Sequence, residues 1–467
     1  MLVLLALILV PFAAAAAVLV IDSKHAHSIA LAASAITFAL TLISIAASYE
    51  YGIGSLSLSF GYIPQLNLDF SLYATAPTLV LMLMASIVFL AASIVGKYFM
   101  GERQRIYNFI FLIAEASSLG VFAASNLFIL YIFWELAEVV MFFIIFMYGG
   151  YNRRYAGIKF IIYSAISSLL LLIGIMLLYS STVPHTFSIS AIIASSASIS
   201  ARTQLLVMLL FIVSFMIKMP VFPLHTWLPD AHTEAPTTGS MILAGVLLKF
   251  GGYLLLLTYL MLPIASHYAP YLLLIFLFSA IYSGIVCLVQ SNVKRLIAYT
   301  SIVDMGIVGV GLSALNSVGT TGAVYFMLSH GLAISLLFLV AGTLDELYGT
   351  LEISKIKGVI KNFAGLSYLF IIGVFGAIGL PLTAAFIADI LVFIGAAIAF
   401  GVTGIVPLAG IFLMGAALFW VIERMFINSS EATEPYRTLS TDVMVSGMLL
   451  LCSSIALGLL PFLVLSL

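Results

Sequence analysis

The chain has 467 residues, of which 64% are hydrophobic and 7% are charged, with a formal net charge of −1. So little polar surface excludes a water-soluble globular protein and indicates a chain dissolved in lipid. The near-neutral balance gives no support for a nucleic-acid partner.

Apolar windows long enough to cross a bilayer as a helix recur from end to end of the chain. A crossing needs about 20 such residues, and we predict an all-α integral membrane protein of about 14 transmembrane helices. The predicted segments lie near 1–21, 27–48, 76–98, 106–124, 126–148, 157–180, 204–228, 237–262, 270–290, 295–314, 318–344, 364–400, 403–423 and 443–465.

The longest polar intervals, 48–73 and 345–362, are too short to bury a core of their own. The first of them alternates apolar and polar residues around Gly61 and Pro64. This alternation predicts a small β-hairpin, which we expect on the outer face of the membrane.

Helix-breaking residues interrupt two predicted segments. Pro220 and Pro223 interrupt the seventh, and Gly376–Pro381 interrupts the twelfth. Because the breaks are five segments apart, an odd number, any five-helix repeat must be inverted in the membrane. The predicted organisation is three N-terminal helices with the hairpin (1–98), a first inverted repeat (99–262), a second inverted repeat (263–430) and a last helix (431–467).

Positive charges are distributed unevenly between the predicted loops. If the N-terminus lies outside, the inner loops hold most of the 17 Lys and Arg residues, and Arg202 alone is outside. This distribution follows the positive-inside rule and predicts both termini outside a multi-pass protein of the cell (inner) membrane. The inner-face charges are Lys24, Lys97, Arg103, Arg105, Arg153, Arg154, Lys159, Lys294, Arg295, Lys355, Lys357, Lys361, Arg424 and Arg437.

Lys218 and Lys249 lie inside apolar segments, on either side of the first break. A charge at the bilayer centre costs roughly 3 kcal/mol on insertion scales, so an intramembrane charge indicates function. Glu135 and Glu138 share one face of the fifth segment, where one of them can pair with Lys218. Burial disfavours the charged form of both partners, so such a pair can exchange a proton when its surroundings change.

Further ionisable residues extend this set. Lys249 has no acidic residue within a helical turn, and His330 lies well inside a segment and can relay protons near neutral pH. Asp389 follows the second break, and we predict it as the exit-side end of a proton path. Asp304 and Glu115 are additional candidates, for which a structural role is equally compatible with the sequence.

Polar residues of the first break have a more ordinary explanation. His225, Asp230, His232 and Glu234 lie among prolines, where polar side chains can cap freed backbone groups. Zinc ligands would need tighter convergence than this run shows. Cys287 and Cys452 form no C-x-x-C motif, so we predict no metal, redox centre or other cofactor in this chain.

These motifs resemble the antiporter-like subunits of respiratory complex I, with the subunit M branch as the nearest match. The resemblance covers about positions 105–430, and its motifs agree in order and spacing. They are Phe133–Glu135, the run from Lys218 to Lys249, Val293–Ser301, Ser329–Gly331 and Gly379–Pro381.

The resemblance implies a fold with two inverted five-helix repeats and a proton path along the middle of the membrane. It implies that Glu135 and Lys218 form a coupled ion pair, Lys249 is the central relay, His330 is a linking residue and Asp389 is the terminal group. The family usually has Glu at position 389 and His where this chain has Asp304. In the sister subunits and the multisubunit cation antiporters, the position of Asp389 looks like lysine, so an acid there favours the subunit M branch.

The resemblance also implies function: a non-redox, proton-translocating subunit of a complex I-type NADH-quinone oxidoreductase. Flavin, iron–sulfur clusters and quinone are then expected in partner subunits, and the other membrane subunits are the expected partners. Two alternatives are a subunit of a cation/proton antiporter and a subunit of a membrane-bound hydrogenase or ferredoxin-linked relative. A further alternative is a membrane scaffold in which the ion pairs are static.

Overall fold

The computed structural model describes residues 2–101, 104–428 and 432–467, and these ranges are almost entirely helical. Within them, thirteen helical stretches are long and apolar enough to cross a membrane. Two shorter apolar helices, Ala364–Ala377 and Ala384–Phe400, follow one another across a break and together supply one more segment. The predicted all-α membrane fold is confirmed.

The helix boundaries follow the predicted windows closely. In chain order the helices are α1 (Leu2–Val20), α2 (Ala26–Tyr51), α3 (Ala76–Met100), α4 (Gln104–Ala123), α5 (Leu127–Tyr148), α6 (Arg153–Ser181), α7 (Ile189–Ser195), α8 (Ala201–Lys218), α9 (Trp227–Glu234), α10 (Thr237–Ile242), α11 (Leu248–Met261), α12 (Ala265–Cys287), α13 (Val293–Ser313), α14 (Ser317–Tyr348), α15 (Val359–Asn362), α16 (Ala364–Ala377), α17 (Ala384–Phe400), α18 (Val402–Ile405), α19 (Leu408–Val421), α20 (Thr441–Leu459) and α21 (Phe462–Leu465).

The predicted hairpin is present. Strands β1 (Ser57–Ile63) and β2 (Leu68–Tyr73) pair antiparallel, and the rings of Phe60 and Phe70 stack at 5.0 Å across the pair. Asn67 turns the chain in a left-handed conformation that Asn tolerates better than most residues. The side of the membrane on which the hairpin lies stays a prediction.

Asparagine side chains fix the starts of three helices that carry site residues. Asn126 accepts hydrogen bonds from two backbone N–H groups of α5, at 2.8 and 3.3 Å. Asn292 and Asn316 cap α13 and α14 in the same manner. Because the first N–H groups of a helix lack intrahelical partners, such caps stabilise each start within a membrane protein.

The core of the fold is a central group of helices enclosed by the others. The segments containing α3, α10 with α11, α13 and α14 are almost wholly buried, whereas α1, α2 and α6 expose one side. Helix α14, with 32 residues, contacts α3, α13, α16, α17 and α20. The buried polar residues described below lie mainly on or against this central group.

Both predicted breaks are confirmed. Helix α8 ends at Lys218, and α9 begins at Trp227 after the eight residues Met219–Thr226. The Trp227 indole N–H donates to the carbonyl of Ile217 at 2.9 Å and so joins the two halves. In the second break, Gly379 and Leu382 have positive φ angles of 70° and 78°.

The positions of these helices do not test two predictions, the division of the chain into repeats and its orientation in the membrane. Each predicted five-helix unit contains one break, but the boundaries of the units and their inverted relation stay predictions. The orientation in the membrane also stays a prediction, and Arg103, one of the charges it used, lies outside the described residues. The short helix α7 and a π-helical turn at Leu243–Leu247 were not predicted.

A buried row of acids and bases as the candidate functional site

Lys218 forms a buried ion pair at the first break. Its ammonium Nζ lies 2.6 Å from Oε1 of Glu138 on α5 and donates to the Ser164 hydroxyl on α6, also at 2.6 Å. The lysine and the glutamate are 4% and 1% exposed. Phe160 and Trp227 present their rings to the same ammonium at 5.2 and 6.0 Å. Glu138 is therefore the carboxylate in direct contact with Lys218, and the other groups around the ammonium are a hydroxyl and aromatic rings.

The partner of Lys218 differs from the sequence-based assignment. The expected partner was Glu135, but Glu138 makes the contact and Glu135, one turn earlier, is only half-buried. The two residues share a face of α5, and Glu135 is close enough to hydrogen-bond Tyr131. The assignment of Glu135 as the ion-pair partner is wrong, because the rotation of α5 directs the later residue inward.

Lys249 is fully buried and bound to two groups. Its ammonium lies 2.6 Å from Nδ1 of His330 on α14 and donates to the backbone carbonyl of Ala244, also at 2.6 Å. Ala244 belongs to the π-helical turn that precedes Lys249. Such turns interrupt the regular helical hydrogen bonding and are frequent at functional sites. Here the turn presents a carbonyl to a buried cation.

His330 connects Lys249 to Asp304. Its second ring nitrogen, Nε2, lies 3.6 Å from Oδ2 of Asp304 on α13. When the Lys249 ammonium donates to Nδ1, a neutral imidazole must carry its own hydrogen on Nε2, on the side of the carboxylate. The structure thus places Asp304, a secondary candidate in the sequence, directly beside the imidazole.

Asp389 lies in the first half of α17, next to the second break. Its carboxylate sits against Gly379, where a β-carbon would overlap with it. One side of the residue borders an apolar groove of about 590 Å³ whose walls include Phe386 and Phe412. Asp389 is near enough to Asp304 to influence its charge, although the structure shows no direct bond between them.

Two interruptions divide the row. The space beside Glu138 and Lys218 is only about 10 Å³ and is walled by apolar residues that include Leu243, Leu247 and Leu248. This apolar wall separates the Lys218 pair from the Lys249 group. The second interruption is the unbridged interval between Asp304 and Asp389. Direct contacts run from Lys249 through His330 to Asp304, and the continuation of the path to Asp389 stays a prediction.

Glu115 lies apart from the row. It is fully buried on α4 and accepts a hydrogen bond of 2.7 Å from the Ser34 hydroxyl on α2. Its second carboxylate oxygen has no hydrogen-bond partner among the described residues. This contact joins α2 to α4, so a structural role accounts for its position without any link to the other candidates.

The polar residues of the first break have different environments. Asp230 forms ion pairs with Lys159 at 2.6 Å and Arg295 at 3.2 Å, so it ties α9 to α6 and α13. Glu234 accepts from the backbone N–H of Asn152 at 2.8 Å. These two residues bind other elements, as the structural explanation requires. In the described ranges, no three His, Cys, Asp or Glu residues are grouped as metal ligands would be.

Three polar contributors were not identified from the sequence. Ser164 completes the shell of Lys218, and hydroxyls give no distinctive sequence signal in a membrane helix. Lys294 was counted as a loop charge but is 4% exposed in the first turn of α13, where it donates to the Ala235 carbonyl at 2.9 Å. His232 was assigned a capping role, but neither ring nitrogen has a hydrogen-bond partner among the described residues.

Known proteins resemble this chain in sequence. Residues 124–414 match the family described as NADH:quinone oxidoreductase/Mrp antiporter, transmembrane region. The chain is 34% identical over 406 residues to NADH-quinone oxidoreductase subunit M of Rickettsia prowazekii, covering 86% of this chain and 82% of that protein. It is also 34% identical over 415 residues to NAD(P)H-quinone oxidoreductase chain 4 2 of Thermosynechococcus vestitus, covering 86% and 77%.

A solved structure has the same fold. In respiratory complex I from Thermus thermophilus with bound NADH, one chain superposes with a TM-score of 0.90 at 24% identity, covering 98% of this chain and 96% of that one. At this identity the match concerns the fold alone.

Proposed function

Since this chain belongs to the NADH:quinone oxidoreductase/Mrp antiporter family of membrane subunits, we propose that it is a non-redox, proton-translocating subunit of a complex I-type quinone oxidoreductase. The observation that supports this most is the buried row of acids and bases inside a lipid-embedded fold. Its members are Glu138, Lys218, Lys249, His330 and Asp304, with Glu135 and Asp389 beside its two ends.

The Glu138–Lys218 pair supplies one switchable contact. Two opposite charges at 2.6 Å hold each other in a medium of low dielectric constant. Transfer of a proton from the ammonium to the carboxylate neutralises both groups and removes that attraction. The pair can then separate, and Lys218 can take up another proton from a different donor. A pair that closes when charged and opens when neutral is a suitable element for a pump.

The group of Lys249, His330 and Asp304 supplies a relay. A proton leaving the Lys249 ammonium enters His330 at Nδ1, and the proton already on Nε2 can pass toward Asp304. Each transfer leaves the total number of protons unchanged and moves the positive charge from α11 to α13. Histidine suits this step because its two nitrogens can accept and release protons on opposite sides of the ring.

The two interruptions give the path a means of control. A continuous hydrogen-bonded chain would let protons flow down their gradient without coupling. In this proposal the leucines beside Lys218 and the interval before Asp389 are the places where proton flow is interrupted. We propose that conformational signals from partner subunits close these intervals in turn, with Asp389 as the terminal group.

The energy must come from outside this chain. Moving one charge across a membrane against 100 mV costs about 2.3 kcal/mol, which electron transfer to quinone can supply. We propose that flavin, iron–sulfur clusters and quinone are held by partner subunits and that this chain carries no redox centre. The assembly would lie in the cell (inner) membrane, with both termini of this chain outside.

Replacing Lys218 or Lys249 by Met tests the proposal. Methionine keeps the length and apolar stem of the side chain but cannot carry a proton, so each variant should lower proton pumping by about tenfold or more. Pumping and quinone reduction would be measured on the purified complex in sealed vesicles. Lys159→Met is the matched control, because Asp230 retains Arg295 as a second cation.

Two results would contradict the proposal. The first is normal pumping by an intact complex that contains either substitution. The second is purification of the native chain without flavin or iron–sulfur proteins, combined with sodium/proton exchange in vesicles, which would favour the antiporter alternative. The acid at position 389, where the resemblance implies lysine in the cation antiporters, argues against that alternative.

A further inference from the structure

Trp134 is a buried hydrogen-bond donor that the structure leaves without an acceptor. The residue is 0% exposed on α5, and its ring packs on Phe250 with centroids 5.2 Å apart. Its indole nitrogen Nε1 has no hydrogen-bond partner among the described residues. Buried tryptophans usually find a partner for this N–H, as Trp227 does in donating to the Ile217 carbonyl. A phenylalanine would pack on Phe250 without an unused donor, so packing alone does not explain a tryptophan here.

The carboxylate of Glu138 is the acceptor within reach of this donor. Glu138 lies four positions after Trp134, so both side chains are on one face of α5. The two are near enough for the indole N–H to act on the carboxylate. Neither carboxylate oxygen accepts a hydrogen bond from the described residues, and Oε1 has the Lys218 ammonium as its ion-pair partner at 2.6 Å. An unused donor and two acceptor atoms are therefore one helical turn apart.

Packing holds the indole beside this carboxylate. The Phe250 ring contacts Trp134 and also the ring of Phe122, with centroids 5.5 Å apart in the second pair. Phe250 lines the same small space as Glu138 and Lys218. Because the three aromatic residues are at most 1% exposed, the indole has little room to change its rotamer. It therefore remains next to Glu138 when Lys218 moves.

We propose that Trp134 is a positioning residue that holds the Glu138 carboxylate while its ion pair with Lys218 is open. This inference rests on the proposed function, in which the pair separates after a proton passes from the ammonium to the carboxylate. When Glu138 later loses that proton to the path, it becomes a buried anion without a neighbouring ammonium. The indole N–H then donates to it, and hydrogen bonds to a charged acceptor are stronger than neutral ones. The indole keeps its own hydrogen throughout, so Trp134 carries no proton itself.

Removal of the indole N–H tests this role in the assembled complex. Trp134→Phe keeps an aromatic ring against Phe250 but removes the donor, and it should lower pumping by about tenfold, as the loss of a hydrogen bond to a charged group does. Trp420→Phe is the matched control, because Trp420 is 39% exposed on α19, where its ring contacts Arg424. This control should pump normally. Proton pumping and quinone reduction would be measured on the purified complex in sealed vesicles.

A second variant separates the donor from the shape of the ring. Benzothienylalanine at position 134, introduced with an expanded genetic code, has the bicyclic ring of tryptophan with sulfur in place of the N–H. Because it preserves the packing, a complex that contains it should assemble even where Trp134→Phe does not. It should pump about tenfold more slowly than the unchanged complex. Normal pumping by this complex would overturn the role of Trp134.

Ultraviolet resonance Raman spectroscopy tests the contact itself. The spectrum of Trp134 is the difference between complexes with and without Trp134→Phe, and its N–H band reports hydrogen bonding. The band should show a free N–H in the otherwise unchanged chain and a bonded one in Lys218→Met. It should show a free N–H again when Lys218→Met is combined with Glu138→Leu. A free N–H in Lys218→Met alone would overturn the inference, because removal of the cation would not have made Glu138 an acceptor.

The outcomes separate this inference from the proposed function. Lys218→Met removes the ion pair that the proposed function requires, so normal pumping by that variant rejects the proposed function itself. Loss of pumping in Lys218→Met with normal pumping by the benzothienylalanine complex rejects only the role of Trp134. Weak pumping by both Trp134 replacements, an active Trp420→Phe control and the Raman change in Lys218→Met support both.

Discussion

Two glutamates on one face of α5 have different surroundings, although they are only three positions apart in the chain. Glu138 is 1% exposed and contacts Lys218, whereas Glu135 is half-buried beside Tyr131. A carboxylate enclosed with a lysine is held in place by the charge it neutralises. A half-exposed carboxylate is not enclosed in this way. The environment of each residue, rather than its motif, indicates which one controls Lys218.

We predict that Glu138→Gln has a much larger effect than Glu135→Gln. Removing one partner of a buried pair leaves the other charge uncompensated and typically costs about 3–5 kcal/mol. Glu138→Gln should therefore reduce both assembly and pumping, and adding Lys218→Met should restore assembly without restoring pumping. The amounts of assembled complex and the pumping rates of the three variants test this. A complete loss of pumping in Glu135→Gln, with normal pumping in Glu138→Gln, would reverse the assignment.

The sequence identified most members of the row but not their contacts. Lys218, Lys249 and His330 were detectable because charged or titratable residues are rare in apolar segments. The contact between His330 and Asp304 joins α14 to α13, and such a contact depends on helix rotation and tilt. Lys294 differs from an ordinary loop lysine only by its position in the first turn of a buried helix. A sequence does not define the start of a helix to within one residue, so the burial of Lys294 could not be predicted.

At the scale of elements, the breaks and the π-helical turn bring backbone groups to the site. The first break ends α8 at Lys218, and the π-helical turn presents the Ala244 carbonyl to Lys249. In the second break, Gly379 allows the backbone to approach the Asp389 carboxylate. Prolines and glycines made both breaks predictable from the sequence. The π-helical turn was not predictable, because Leu243–Leu247 has the composition of any apolar helix.

Gly379→Ala should impair the terminal part of the path specifically. Its φ of 70° is unfavourable for alanine by about 1–2 kcal/mol, and the added β-carbon would displace Asp389. Gly401→Ala is the matched control, because Gly401 has a φ of 59° with no atom within 4 Å of the added carbon. Both variants should lose similar thermal stability, but only Gly379→Ala should lose pumping. Equal pumping in the two variants would show that Asp389 tolerates displacement.

At the scale of the whole molecule, charge distribution and cavity position are connected. A polar cavity of about 220 Å³ lies between the residues 233–237 and the end of α14, and its wall includes Gly149 and Gly150, which precede the predicted inner-face residues Arg153 and Arg154. If the positive-inside assignment holds, the cavity opens to the inner side, from which a pump that exports protons must take them. The helices alone do not fix this direction, because a fold inserted the other way up would have the same internal contacts.

Labelling of the two loops that flank α6 determines the orientation. Tyr151 is 98% exposed before α6, and Val183 is 90% exposed after it. In a Cys452→Ser background, Tyr151→Cys should react with an impermeant thiol reagent only in inside-out vesicles, and Val183→Cys only in right-side-out vesicles. The remaining cysteine, Cys287, is buried. The opposite pattern would place the cavity on the outer side of the membrane.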